Sequence, residues 1–221
     1  MIIVRVIGGL GNQMFQYALA KKIALTRPYT VKLDLTGFRK YTLHKYSLDH
    51  LFTNLPTASS LEITAFLGLN KCLRNFRQFV IQEQSNLYDP NILNLPDDVY
   101  LDGHWQSEKY FIEMEKYIRR DFRIKTKPNK YTKNIMSKIR LQKAVSVHIR
   151  RADYVSDIAA NKILGTCSKD YYQRGIKYLT NKVGKFHIFI FSDDIGWAKN
   201  NLKFGQTTTF VDGNTVANNY D

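Results

Sequence analysis

The residues best suited to chemistry form one run, His148-Ile149-Arg150-Arg151-Ala152-Asp153-Tyr154, directly after the alternating segment Ala144-Val145-Ser146-Val147. The alternation predicts a buried strand, which puts the histidine, both arginines and the aspartate at a C-terminal strand end, where parallel α/β sheets hold ligands. Two adjacent guanidiniums offer forked donor sets that match phosphate oxygens, and the nearby carboxylate can orient one of them or accept from a sugar hydroxyl. The expected ligand is phosphorylated. An arbitrary Arg-Arg pair with Asp153 as its ion partner would be a solvated surface feature, and it is the strand-end position that argues for a site.

A second candidate site opens the chain. Ile2-Ile3-Val4-Arg5-Val6-Ile7 reads as a strand, followed by Gly8-Gly9-Leu10-Gly11-Asn12-Gln13 and a helix-periodic run from Met14 to Ala24. Glycines allow close backbone approach, and Asn12 is expected to cap the helix, whose first N–H groups would then face an anion or a sugar hydroxyl. Gly9 and Gly11 supply the first two glycines of a dinucleotide fingerprint, but Met14 stands where the third belongs. Asp34, at the end of the next strand, falls near the ribose-binding position of that pattern. Many glycine-rich turns serve only as tight connections.

Taken together, GGLGNQMFQYALA and HIRRADYV resemble glycosyltransferase family 11, the α-1,2-fucosyltransferases that use GDP-fucose. Gly103-His104-Trp105-Gln106-Ser107-Glu108-Lys109-Tyr110-Phe111 is similar to the family's GYWQSEKYF-like segment, and Ile190-Phe191-Ser192-Asp193-Asp194-Ile195-Gly196-Trp197 to its FSDDxxW segment. The four motifs occur in order, and the resemblance spans residues 1 to about 215. It implies an α/β fold of two Rossmann-like lobes (GT-B type) with the donor between them, and an inverting, metal-independent transfer of L-fucose to a hydroxyl such as the 2-OH of a galactoside. Family members continue into an NSSFSWWGAWL-like segment, whereas this sequence ends at Asp221, so the resemblance also implies an incomplete C-terminal lobe.

The resemblance assigns roles to individual residues. Arg150 would contact the β-phosphate and stabilise the charge that grows there as the anomeric bond breaks, with Arg151 in support. Gly9, Gly11, Asn12 and Gln13 would reach the same diphosphate, and His148, Asp153, Ser192, Asp193 and Asp194 would line the nucleotide side; for Ser192 to Asp194, helix capping explains the residues equally well. Asp34, Trp105 and Glu108 are placed on the acceptor side. Asp157 is carried as the general base, with Asp34, Asp102 and Glu108 as alternatives that the sequence leaves open. No cofactor or metal is expected, because an arginine clamp can do the work of Mg²⁺. The partners implied are GDP-fucose and a glycan or lipid-linked glycan acceptor.

Positioning these motifs requires two lobes. The first is expected over 1–129, with helices Asn12–Thr26, Ser60–Arg77 and Lys109–Phe122 against strands near Ile2, Val31, Phe79 and Val99; the second, over 130–221, reads as helix 131–141 and then β-α-β-α-β from Ala144 to Val211. With 221 residues and 44% hydrophobic content the chain can bury about 70% of its unfolded surface. Cys72 and Cys167 match no metal spacing and read as reduced thiols. No apolar run approaches the roughly 18 residues of a membrane span and no signal peptide is visible, so a cytoplasmic enzyme is expected. The net charge of +14 concentrates between Lys116 and Lys143, where eleven Lys or Arg accompany one acid, Asp121. Such a belt would draw the protein to an anionic membrane face or be merely solvated. Without an RNA-binding aromatic signature or zinc module beside it, no nucleic-acid partner is expected. Two other classes stay open: an NAD(P)-dependent oxidoreductase would use Gly9, Gly11 and Asp34 but leaves HIRRADY unexplained, and a basic nucleic-acid-binding module leaves the glycine turn unexplained.

Overall fold

A computed structural model describes residues 1–72, 79–81, 87–156, 161, 162 and 165–213, with the backbone alone at 69–72, 79–81, 152 and 153. The chain divides into two compact units, Met1–Thr126 and Lys127–Asp221.

The first unit is built on a parallel four-stranded sheet in the order β2-β1-β4-β3, from β1 (Ile2–Arg5), β2 (Val31–Asp34), β3 (Phe79–Ile81) and β4 (Val99–Asp102). Continuous apolar strands such as Ile2-Ile3-Val4 imply burial on both faces. Ile2 and Val4 pack with Tyr17, Leu19 and Ile23 of helix α1 (Leu10–Thr26), whereas Ile3 packs with Ile63 and Phe66 of helix α2 (Ser60–Cys72). Because the chain leaves β1 towards β2 on one side and returns to β4 on the other, the ends of β1 and β4 flank the sheet's switch point.

Two expected elements differ. The stretch Lys109–Phe122 is not one helix: it forms 3-10 turns at Glu108–Tyr110 and Ile112–Met114 and then helix α3 (Glu115–Asp121). Tyr110 is buried and Phe111 packs on the same core, with Phe111 at φ −142°, outside the helical range. Core packing at consecutive residues defeats the helical period there. Of the helix expected over Ser60–Arg77, the part to Cys72 is helical and Arg77 lies outside the described residues.

The second unit carries a parallel three-stranded sheet, β5-β6-β7, from β5 (Ala144–Ile149), β6 (His187–Ser192) and β7 (Thr207–Phe210). Helix α4 (Lys130–Arg140), capped by Asn129 accepting from Thr132 N at 2.8 Å, places Ile135 against Phe189 and Val211. On the opposite face Tyr172 and Ile176 of the helix Lys169–Val183 pack with Ile149, Ile188 and Ile190. The expectation that β5 is buried needs correction. Only Ile149 is fully buried; Val145 and Val147 are half-buried and Ala144, Ser146 and His148 are exposed. An alternating pattern with polar residues on one face describes a half-covered strand, and β5 lies at the sheet's edge among the described residues.

Candidate functional site

In the second unit the strand-end motif and the Ser192-Asp193-Asp194 segment form one structure. Parallel pairing sets Ile149 opposite Ser192, so the residues after both strands emerge side by side. Each arginine then meets one aspartate: Arg150 Nε lies 3.5 Å from Asp193 Oδ2, and Arg151 Nε lies 3.5 Å from Asp194 Oδ2. Asp193 also accepts from the Arg151 backbone N–H at 2.8 Å, and Asp194 caps the helix Ile195–Asn201 by accepting from Trp197 N at 3.0 Å. The hydroxyl of Ser192 accepts from Asp194 N at 2.9 Å. The capping reading of these residues and a role beside the arginines therefore hold together.

The two guanidiniums are held differently. Arg151 is 17% exposed and stacks on the Trp197 ring at 3.9 Å, and its Nε is buried without a hydrogen bond. Arg150 is 42% exposed, 5.3 Å from the Tyr154 ring. Stacking and an ion pair pin Arg151 at low exposure, while Arg150, also paired with an aspartate and set beside a ring, is the more exposed of the two. His148 lies exposed on β5 on the face away from Ile149, and His187 is occupied by Gln142 and Thr209. Asp153 is described by its backbone alone, in the helix Ala152–Ser156, and Asp157 lies outside the described residues.

In the first unit the glycine turn differs from expectation at its cap. The helix starts at Leu10 with Gly9 as N-cap and no side-chain cap, so Asn12 is not the cap but sits in the first turn. Gly8, at φ +90°, turns the chain between β1 and α1, and a Cβ there would stand 2.7 Å from Asn12 Nδ2. Asn12 Oδ1 accepts from Gln106 Nε2 at 2.6 Å. Beneath them Gln13 is fully buried: its amide donates to Gly8 O at 2.8 Å and Lys45 O at 2.9 Å, and its oxygen accepts from Ser47 N at 2.9 Å. Gln13 is therefore placed to hold the turn rather than to meet a donor at its surface. Gln16, equally buried, ties Ile7 N to Gly103 O and so joins the segments that follow β1 and β4.

Two acceptor-side expectations change. Asp34 is 2% exposed, and its oxygens accept from Tyr100 OH at 2.6 Å and from Thr36 N and Oγ1 at 2.7 Å. Burial and then the hydrogen bond to Asp34 push the Tyr100 hydroxyl above its ordinary pKa. Asp34 is thus a structural acceptor, unavailable to a ribose or as a base. Trp105 is a core residue, 1% exposed and edge-on to Tyr110. Asp102 is engaged by Arg5 at 2.7 Å, and Glu108 is exposed at the start of a 3-10 turn.

Two residues at this turn escaped the sequence reading. Gln106 lies beside Trp105 in the Gly103–Phe111 segment, and an exposed glutamine carries no signal of its own. His44 lies with its ring 3.6 Å from where a Gly9 Cβ would be. No spacing signal points to His44; loop 40–47 reaches the turn through the bonds from Gln13. Among the described residues, no group of three or more His, Cys, Asp or Glu could hold a metal ion, and no helix is long and apolar enough to cross a membrane.

Parallel α/β sheets with an arginine pair at one strand end and a glycine turn at another define a ligand-binding α/β protein with cationic donors at a strand end. The model of glycosyl transferase family 11 matches residues 1–220, and the chain belongs to that family. Among curated relatives it is 36% identical to an α-1,2-colitosyltransferase of Escherichia coli, covering 97% of this chain and 77% of the relative. It is 27% identical to the O-antigen biosynthesis glycosyltransferase WbnK of Escherichia coli, over 87% of this chain and 72% of that one. Among solved structures, the NodZ α-1,6-fucosyltransferase soaked with GDP-fucose matches with a TM-score of 0.50 over 96% of this chain and 77% of its own, at 14% identity, which shows a shared fold.

Proposed function

We propose that the protein transfers L-fucose from GDP-fucose to a hydroxyl of a surface glycan, the 2-OH of a galactoside, with inversion and without a metal. The observation that carries this reading is the arginine pair after β5, each arginine set against its own aspartate, with Arg151 also stacked on Trp197 and the less exposed of the two. In the reaction an acceptor oxygen bonds to the anomeric carbon while the bond to the phosphate oxygen breaks, its electron pair leaves with GDP, and the acceptor proton is released. Negative charge grows on the departing β-phosphate, and preorganised guanidiniums stabilise that charge more than they stabilise the bound donor. Arg150 is assigned the transition-state contact and Arg151 the fixed support.

A second donor is favoured by one finding, the 36% identity to an α-1,2-colitosyltransferase. Colitose is L-fucose without its 3-hydroxyl, so the same phosphate clamp serves both sugars and the pocket around carbon 3 would decide. Presenting GDP-fucose and GDP-colitose separately to galactoside acceptors, with EDTA in parallel and linkage read by NMR, tests both. Transfer from neither donor would end the reading. We also propose that the protein works in the cytoplasm against an anionic membrane face, supported by the basic residues of 116–143; binding to vesicles with and without anionic lipid tests this.

A further inference from the structure

Gln106 donates from Nε2 to Asn12 Oδ1 at 2.6 Å, joining the loop after β4 to the first turn of α1. An exposed amide pair is worth little unless its backbone is fixed, and here the backbone is fixed on both sides. Trp105 adopts φ +55°, a conformation that costs a bulky residue energy and persists because its ring is 1% exposed against Tyr110. Ser107 N closes the turn on Trp105 O at 2.8 Å, and Gly103 O is held by buried Gln16 at 3.0 Å. Opposite, the Asn12 amide lies over Gly8, whose φ of +90° favours glycine.

An asparagine side chain can present either its oxygen or its NH₂. With Oδ1 engaged by an N–H donor, the amide is oriented with its NH₂ at the other side, where both hydrogens can meet a ligand, while the oxygen keeps one lone pair. We propose that Gln106 is a positioning residue: it holds Asn12 so that Nδ2 donates to an oxygen of the bound substrates. The kinetic side of this rests on the transferase reading above. The Asn12 orientation does not.

The test uses the full chain and four variants: Asn12→Ala, Gln106→Ala, the double variant and Gln106→Glu. Gln106→Ala is expected to lower kcat/KM about tenfold, the size of one ordinary net hydrogen bond, and to add nothing in the Asn12→Ala background. Gln106→Glu should be worse than Gln106→Ala, because a carboxylate attracts the Asn12 NH₂ and turns the amide round. Independently of turnover, the Asn12 side-chain amide resonance, identified by its loss in Asn12→Ala, should shift in Gln106→Ala. Additive losses in the double variant, a Gln106→Glu protein as active as the unaltered chain, or an unmoved resonance would each overturn the proposal. If the unaltered chain transfers no sugar, the function reading fails and the resonance alone decides whether Gln106 sets Asn12.

Discussion

Replacing Trp197 with leucine isolates what holds Arg151. The Arg151 guanidinium lies 3.9 Å from the indole centroid and is 17% exposed. A cation over an aromatic face contributes about 0.5–1 kcal/mol in water and about 2 kcal/mol when desolvated, so a side chain this well covered stands near 1.5 kcal/mol. The Asp194 partner survives the change, since its cap bond goes to the backbone N–H of residue 197 and its ion pair does not involve the ring. What Arg151 itself loses is the stack. At about 1.4 kcal/mol per tenfold, Trp197→Leu should weaken GDP binding roughly tenfold by calorimetry, and Trp197→Phe, which keeps a weaker ring, should lie between. Melting curves separate this from the packing lost where Trp197 meets the core of the second unit. A folded Trp197→Leu protein that binds GDP within twofold of the unaltered chain, while Arg151→Ala binds far more weakly, would refute the stacking argument.

Arg150→Lys keeps the charge but loses the fork, and should depress kcat more than donor affinity; Arg150→Ala should cost about 10²–10³-fold in kcat, read by steady-state kinetics on folded protein. Asp193→Asn retains an oxygen for the Arg151 N–H but removes the charge facing Arg150, so GDP should bind more tightly at low salt and with a steeper salt dependence. Asp121, 2% exposed, accepts from Tyr17 at 2.8 Å and pairs with Lys21 at 3.0 Å, so Asp121→Ala leaves the buried Lys21 ammonium without its counter-charge, held only by the neutral Asn54 oxygen at 2.6 Å, and should cost about 3 kcal/mol, seen as a melting temperature lower by roughly 6–12 °C. Burial would raise the pKa of Asp121, but the bonds from Tyr17 and Lys21 outweigh it and hold the carboxyl below its usual value. Its stabilising contribution is therefore complete above about pH 3.9 and is lost as pH falls through the lower folded value, so the gap in stability between the unaltered chain and Asp121→Ala should narrow in acid urea titrations.

The sequence made legible those parts of the fold whose signal is local. Strands such as Ile2-Ile3-Val4 and Phe189-Ile190-Phe191 are apolar runs of the right length, and Asn129 and Ser168 are short polar residues at true helix starts. The resemblance set both site segments on the nucleotide side, but the pairing of each arginine with one aspartate was not legible, because it follows from the register of β5 on β6. Asp34 read as a ligand because a carboxylate at a strand end has that meaning when exposed. Tyr100, 66 positions later, is what makes it structural. Trp105 misled in the same way: an aromatic in a motif suggests a sugar platform, yet its ring fills the core and its backbone aims Gln106. The early start of α1 at Leu10 follows from a cap, Gly9, that needs no side chain.

The measurement closest to the central claim is donor selection by the full chain on galactoside acceptors, comparing GDP-activated fucose and colitose with UDP-sugars in the presence of EDTA. Transfer from a GDP-activated sugar with inversion, insensitivity to EDTA, and loss of turnover in Arg150→Ala are the expected outcomes. Equal use of UDP-sugars, an absolute requirement for Mn²⁺, or near-normal kcat in a folded Arg150→Ala protein would contradict that claim.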